Sequence, residues 1–192
     1  MSAVFSIRFP GLVVAVTALL AMTGCAINAP AYQPSIDNVG VLKQAGSATV
    51  SLGEFKVQSD AIGATAISIR AASMVPPNGG DYAGYLADAL KTELDLARRL
   101  DPKAKIEITG VLLKNDISAG GLVRNSGEIE ARFVVRRDRQ VRFDKVVRGA
   151  TDWEGSFLGS IAIPRAQQQY PMLVQRLLQS LYNDAQFQSA IR

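Results

Sequence analysis

Glu128-Ile129-Glu130-Ala131-Arg132-Phe133-Val134-Val135-Arg136, followed after four residues by Val141-Arg142-Phe143-Asp144-Lys145-Val146-Val147, decides the fold. Side chains along a strand alternate between two faces, so Ile129, Ala131, Phe133 and Val135 turn one way and the charged residues between them the other. Phe143 and Val147 continue the apolar set on a second strand that extends toward Trp153. Cross-strand partners share a face, so odd-numbered apolar positions must oppose odd ones, which asks for a loop with an odd number of residues. Pairing Val135 with Val141 leaves Arg137-Asp138-Arg139 as the loop. That register sets Phe133 against Phe143, Arg132 against Asp144 and Glu128 against Arg148.

Upstream, Ile106, Ile108 and Leu112 mark a further strand ending near Lys114, and Asn115 to Gly127, with Gly120-Gly121, reads as a flexible connection. Before it, Tyr82, Leu86, Leu90, Leu94 and Ala97 recur at spacings of three and four, which predicts a helix with Asp81 as its N-cap. Arg98 and Arg99 fall in its last turn and complement the helix dipole, and Asp101-Pro102 ends it. Val75-Pro-Pro-Asn-Gly-Gly80 is a loop. Ala48 to Val57 predicts a strand whose apolar phase slips between Leu52 and Phe55, so a bulge is required at Gly53-Glu54. Ala66 to Arg70 is short enough for one more strand, and Ile36, Val39 and Leu42 suggest a single helical turn. Downstream, Leu173, Val174, Leu177, Leu178 and Leu181 stripe a helix from Ile163 to Tyr182, with Pro164 at its start and a kink at Pro171. A short helix capped by Asp184 follows. The expected architecture is α+β, an antiparallel sheet of about four strands with two long helices packed on one face, in the order β-α-β-β-β-α.

The N-terminus says where the chain goes. Gly11 to Met22 is an uncharged run rich in Leu, Val and Ala preceded by Arg8, the anatomy of a signal peptide, and Met22-Thr23-Gly24-Cys25 closes it as a lipobox. A medium apolar residue followed by two small ones lets a membrane peptidase cut before a diacylated cysteine. An uncleaved membrane helix is the rival reading, since Val4 to Met22 is nearly apolar, but Arg8 and Pro10 interrupt it. Residues 1–24 are therefore expected as the leader, 25–46 as the lipidated Cys25 with its tether, and 47–192 as a single periplasmic domain. Cys25 is the one cysteine of 192 residues, so no intramolecular disulfide can form.

The chain contains no histidine, and this excludes Ser-His-Asp triads, Cys-His dyads and His-Glu-x-x-His zinc sites. No Ser-x-x-Lys precedes any lysine. Asp116, Glu128, Glu130, Asp152 and Glu154 are the acids that a glycosidase-like pair would draw on, but their basic neighbours at strand spacing favour a solvated, salt-bridged face. No catalytic residue, metal or cofactor is expected. The balance of 21 Lys and Arg against 17 Asp and Glu is a mild excess that does not call for nucleic acid.

Six arginines crowd the hairpin. Arg137, Arg139 and Arg142, nearest its tip, could bind an anion such as a lipid phosphate or an acidic partner; a charged edge that resists strand-on-strand aggregation is the plainer reading. Trp153 reads as core or as a lid over the sheet, with a ligand platform as the alternative.

The segment Ile129 to Ile191, with Trp153-Glu154-Gly155-Ser156-Phe157 and a long helix closing on Asn183-Asp184 and Phe187, resembles the YajG-like periplasmic lipoproteins. The helix Tyr85 to Leu100 and strand Ile106 to Leu113 occur in the same order. The resemblance implies a mature cysteine with three acyl chains and, with Ala26 rather than Asp after it, sorting to the outer membrane; it brings no catalytic or ligand residue. Element order alone is also similar to auxiliary lipoproteins of envelope transporters. The expected role is a non-enzymatic, membrane-anchored binding or accessory component of an envelope transport or assembly system, with an envelope protein as partner. A self-associating structural lipoprotein and an anionic-lipid binder are the alternatives.

Overall fold

In the computed structural model, which describes residues 25–192, the long alternating segments form one four-stranded sheet. Met22, Thr23 and Gly24 of the lipobox and the leader before them lie outside the described residues. The chain opens with β1 (Cys25–Asn28) and α1 (Ile36–Gln44), then runs through β2 (Ser51–Ile62), β3 (Ile67–Ile69), β4 (Ala72–Val75) and α2 (Tyr82–Leu96). It continues with β5 (Ile106–Ser118), β6 (Arg124–Arg137), β7 (Gln140–Glu154), α3 (Gly159–Tyr182) and α4 (Ala185–Ala190). The large sheet has the order β2-β5-β6-β7, and a small one the order β1-β4-β3.

The large sheet is antiparallel except that β2 and β5 run parallel, because the connection between them carries β3, β4 and α2 and is long enough to return the chain in the same direction. Leu52 pairs with Ile108 and Phe55 with Gly110, so Gly53 and Glu54 together oppose Thr109. This is the bulge that the change of phase requires. One face of the sheet buries Ile108, Leu112, Ile129, Ala131, Phe133, Val135, Phe143 and Val147. Both long helices cover that face, α2 over β2 and β5, α3 over β6 and β7. Asp81 caps α2 by accepting from the Gly84 N–H at 2.9 Å.

Four expectations are corrected. The hairpin pairs Val135 with Phe143 rather than with Val141. Its turn is the two residues Asp138 and Arg139, both at positive φ (50° and 65°), and Arg142 is a bulged extra residue between Arg136↔Val141 and Val135↔Phe143. Odd positions still face odd positions, with a bulge rather than an odd-numbered loop supplying the parity. Arg132 and Asp144 meet diagonally instead of directly, and Arg148 lies opposite Glu130.

Residues 25–46 are not a free tether. β1 pairs parallel with β4, α1 packs on α2 and α3, and Ala29, Val39, Leu42 and Ala45 join the core. Alongside these apolar residues, polar groups of the stretch find a buried acceptor in Glu93 of α2. Finally, β5 extends to Ser118 and β6 starts at Arg124, which shortens the expected connection to Ala119–Val123, and α3 begins four residues earlier than expected with Pro164 and Pro171 both inside it.

Candidate functional site

Cys25 and the arginine-rich hairpin tip lie toward opposite ends of the large sheet. At the first end, the backbone of Cys25 pairs with Ala72, which also pairs with Ile69 across the β3–β4 turn. Arg70 occupies that turn at φ 54°. Its guanidinium donates from Nε to the carbonyl of Ala119 at 2.9 Å, from Nη1 to Phe157 at 3.0 Å and from Nη2 to Ser156 at 2.5 Å. One side chain thus ties the turn beside Cys25 to the β5–β6 loop and to the loop leading into α3. The two loops also meet directly, the Gly155 N–H donating to the Val123 carbonyl at 2.8 Å. A Cβ at Gly155 would lie 2.4 Å from the Gly121 carbonyl oxygen, so only glycine permits the approach.

The arginine-rich hairpin tip lies at the other end. β6 runs from Arg124, beside the first end, to Arg137; at about 3.3 Å per residue that is a span of roughly 45 Å. Of the three arginines singled out, the structure brings Arg137 and Arg142 together on an open cleft of about 600 Å³ with Gln186, Ser189 and Ala190, while Arg139 stands apart in the turn. Arg137 donates to the Arg192 carbonyl. Among the described residues Arg139 and Arg142 make no side-chain hydrogen bond or ion pair, unlike their neighbours.

Those neighbours explain the acids. Arg132 grips Asp144 through two bonds of 2.6 Å, Arg148 meets Glu130 at 3.0 Å, and Lys114 meets Glu128 at 2.5 Å. Arg124 pairs with Asp152 and Arg165 with Glu154 at 3.6 Å. Hydrogen bonding to Arg132 holds the Asp144 carboxyl below its ordinary range, and Lys114 does the same for Glu128. Asp116 lies close enough to strengthen the Lys114 charge. A general acid needs a carboxyl whose pKa is raised toward neutrality; Asp144 and Glu128 are shifted the other way. Among the described residues no group of three or more Cys, Asp or Glu side chains could hold a metal ion, and no helix is long and apolar enough to cross a membrane.

Two buried ionic groups escaped the sequence reading. Glu93 of α2 is fully buried, and its Oε1 accepts from the Tyr32 hydroxyl at 2.6 Å, the Ser35 N–H at 2.9 Å and the Asn38 amide at 3.3 Å. Asn38 also donates to the Gln175 carbonyl at 3.1 Å. Glu93 is therefore what binds the segment after Cys25 to the helical layer. Arg99 is not part of a solvated last turn of α2. It is 2% exposed, and its guanidinium donates to the carbonyls of Ala48 at 2.9 Å, Leu42 at 3.2 Å and Ile191, joining the end of α1, the lead into β2 and the C-terminal turn. Trp153 packs against the core, as one of its expected readings had it. Neither Glu93 nor Arg99 differs in sequence from an ordinary charge on an amphipathic helix, so local pattern gave no signal for either.

No family model and no curated protein matches the chain. Among solved structures, protein XCC0632 from Xanthomonas campestris, of the family DUF330, is similar over 85% of this chain and 96% of its own, with a TM-score of 0.54 at 8% identity. A minor lipoprotein from Acinetobacter baumannii covers 73% of this chain and 93% of its own at a TM-score of 0.43 and 10% identity. Protein CT253 from Chlamydia trachomatis covers 73% and 96% at 0.46 and 9% identity. The first likeness establishes a shared fold; the other two are too distant to add to it.

Proposed function

We propose that this protein is a lipid-anchored component of a bacterial envelope, held at the periplasmic face of the outer membrane by Cys25, that acts without catalysis by binding an envelope protein. The observation that carries the reading is the Met22-Thr23-Gly24-Cys25 motif at the junction of an apolar run and the folded body. Membrane attachment through two or more acyl chains is stable where one chain is marginal, which suits a triacylated cysteine in the YajG-like pattern. Ala26 supports outer-membrane sorting on the same resemblance.

The far end supplies the binding surface. Arg139 and Arg142 lie at the end of the large sheet opposite the one beside Cys25, a strand's length of roughly 45 Å away along β6, so they face the periplasm rather than the bilayer that holds Cys25. That geometry favours an acidic protein surface over anionic lipid of the anchoring membrane, because guanidinium pairs bidentately with carboxylates as well as with phosphates. Crosslinking in cells, with the full chain as bait, tests the proposal. An envelope protein recovered with the native chain and diminished with the triple Arg137→Ser, Arg139→Ser, Arg142→Ser variant is the expected result. Recovery of no envelope protein above background contradicts it.

A further inference from the structure

The end of the molecule that carries Cys25 also carries a group of strongly exposed apolar side chains. Val123 is 84% exposed, Phe157 79% and Leu122 63%, with Leu158 and Ile161 exposed beside them. Isolated apolar residues on a surface need no explanation, but a contiguous group does. Here the grouping is built. The Gly155–Val123 hydrogen bond and the close approach of Gly155 to Gly121 and Leu122 lock two loops back to back. Arg70 then clamps both loops through the carbonyls of Ala119, Ser156 and Phe157. The carbonyls of Ala119, Val123, Ser156 and Phe157 find donors in these contacts, and the side chains of Leu122, Val123 and Phe157 are left outside.

We infer that this apex is a bilayer-inserting tip, whose apolar side chains enter the same leaflet as the acyl chains on Cys25. The inference rests on the lipid-anchor reading and adds what that reading lacks, an orientation. Cys25 is itself paired in the small sheet, in register with Ala72 and one residue from the turn that Arg70 occupies. No flexible spacer separates the anchor from the body, so the end bearing Cys25 must lie against the membrane surface. The charges at this end are compatible with headgroups: Asp152 is paired with Arg124 and Glu154 with Arg165, so these acids present no uncompensated charge to a phospholipid surface. The long axis of the sheet then stands away from the bilayer, with the arginine tip at the periplasmic extreme.

Because the chain has a single cysteine and acylation blocks its thiol, a second cysteine can be labelled selectively. Phe157→Cys, Val123→Cys and, as a distal control, Arg139→Cys are made in the full chain, extracted from cell membranes, labelled with a polarity-sensitive fluorophore and reconstituted into phosphatidylethanolamine–phosphatidylglycerol vesicles. Intact mass reports in parallel whether Cys25 is acylated. Interfacial side chains sit about 5–10 Å into the headgroup–acyl boundary, so the labels at 157 and 123 shift to the blue and lose emission to lipids brominated in their acyl chains, while the label at 139 does neither. A water-like signal at 157 and 123 with Cys25 acylated overturns the tip and leaves the anchor standing. A blue shift without quenching by brominated lipid means that protein covers the apex, and likewise overturns it. A free Cys25 thiol, reported by the intact mass, overturns the anchor; the same labels placed in a Cys25→Ser background then decide the tip, quenching at 157 and 123 supporting it and a water-like signal overturning it.

Discussion

Arg70 donates to the carbonyl of Phe157 across 87 residues of sequence at 3.0 Å, and this contact joins the hairpin beside Cys25 to the most exposed aromatic ring among the described residues. Replacing Arg70 with Ala removes three bonds from a charged donor to backbone carbonyls. At about 1 kcal/mol net for each hydrogen bond of this partly solvated kind, the variant should lose roughly 3 kcal/mol of stability. Hydrogen exchange should quicken first in 119–123 and 155–158. Unchanged protection there would remove Arg70 from its role as the clamp.

Glu93 governs the segment from Tyr32 to Asn38. Truncation to Ala leaves the Tyr32 hydroxyl, the Ser35 N–H and the Asn38 amide without their acceptor, and a buried unsatisfied group costs about 1–3 kcal/mol. We expect Glu93→Ala to destabilise by roughly 3 kcal/mol and to expose residues 29–45 to limited proteolysis before the rest of the domain. Glu93→Gln, which keeps one acceptor oxygen, should protect that segment better.

Gly149 of β7 lies against the backbone of α3: a Cβ placed there would sit 2.6 Å from the Leu177 nitrogen and 3.0 Å from the Leu173 carbonyl. Neither backbone atom can give way without moving the helix. Overpacking of a core contact costs about 1–3 kcal/mol, so Gly149→Ala should lower the denaturant midpoint, and Gly149→Val should lower it further. A midpoint equal to that of the native chain would mean that α3 does not seat on β7 as described.

All five tyrosines of the chain have pKa values pushed above the ordinary phenol value. Burial is the first cause at each of Tyr32, Tyr82, Tyr85, Tyr170 and Tyr182, and the Glu93 carboxylate raises Tyr32 and Tyr182 further. A raised folded-state pKa means that the neutral tyrosines stabilise the fold fully below the unfolded value of about 10 and cease to do so as pH climbs beyond it. In an alkaline titration, tyrosinate absorbance should therefore stay flat through the ordinary range and then rise in one step with unfolding. A gradual rise centred near pH 10 in still-folded protein would contradict the burial of the cluster.

Local periodicity made α2, its Asp81 cap, the Gly53-Glu54 bulge and the inward face of β6 legible in advance, because each is decided by residues a few positions apart. Where the deciding partner is distant, pattern was silent. Glu93 and Arg99 look like solvated helix charges, yet each serves as a hub for backbone and side chains more than 50 residues away. The register of β6 and β7 turned on whether the odd residue lay in the loop or in a bulge, and the left-handed pair Asp138-Arg139 settled it for the bulge at Arg142. β1 and β4, at four residues each, are too short to announce themselves as strands. At the sites, the basic cluster and the lipobox could be read as motifs, but their placement at opposite ends of the sheet needed the fold.

The anchor itself is the claim on which orientation and role depend. Intact mass spectrometry of the full chain purified from the membranes of the cells that make it should find residues 1–24 removed and Cys25 bearing a thioether-linked diacylglycerol with a third chain on its amino group. A chain that retains its leader and a free Cys25 thiol would contradict the account.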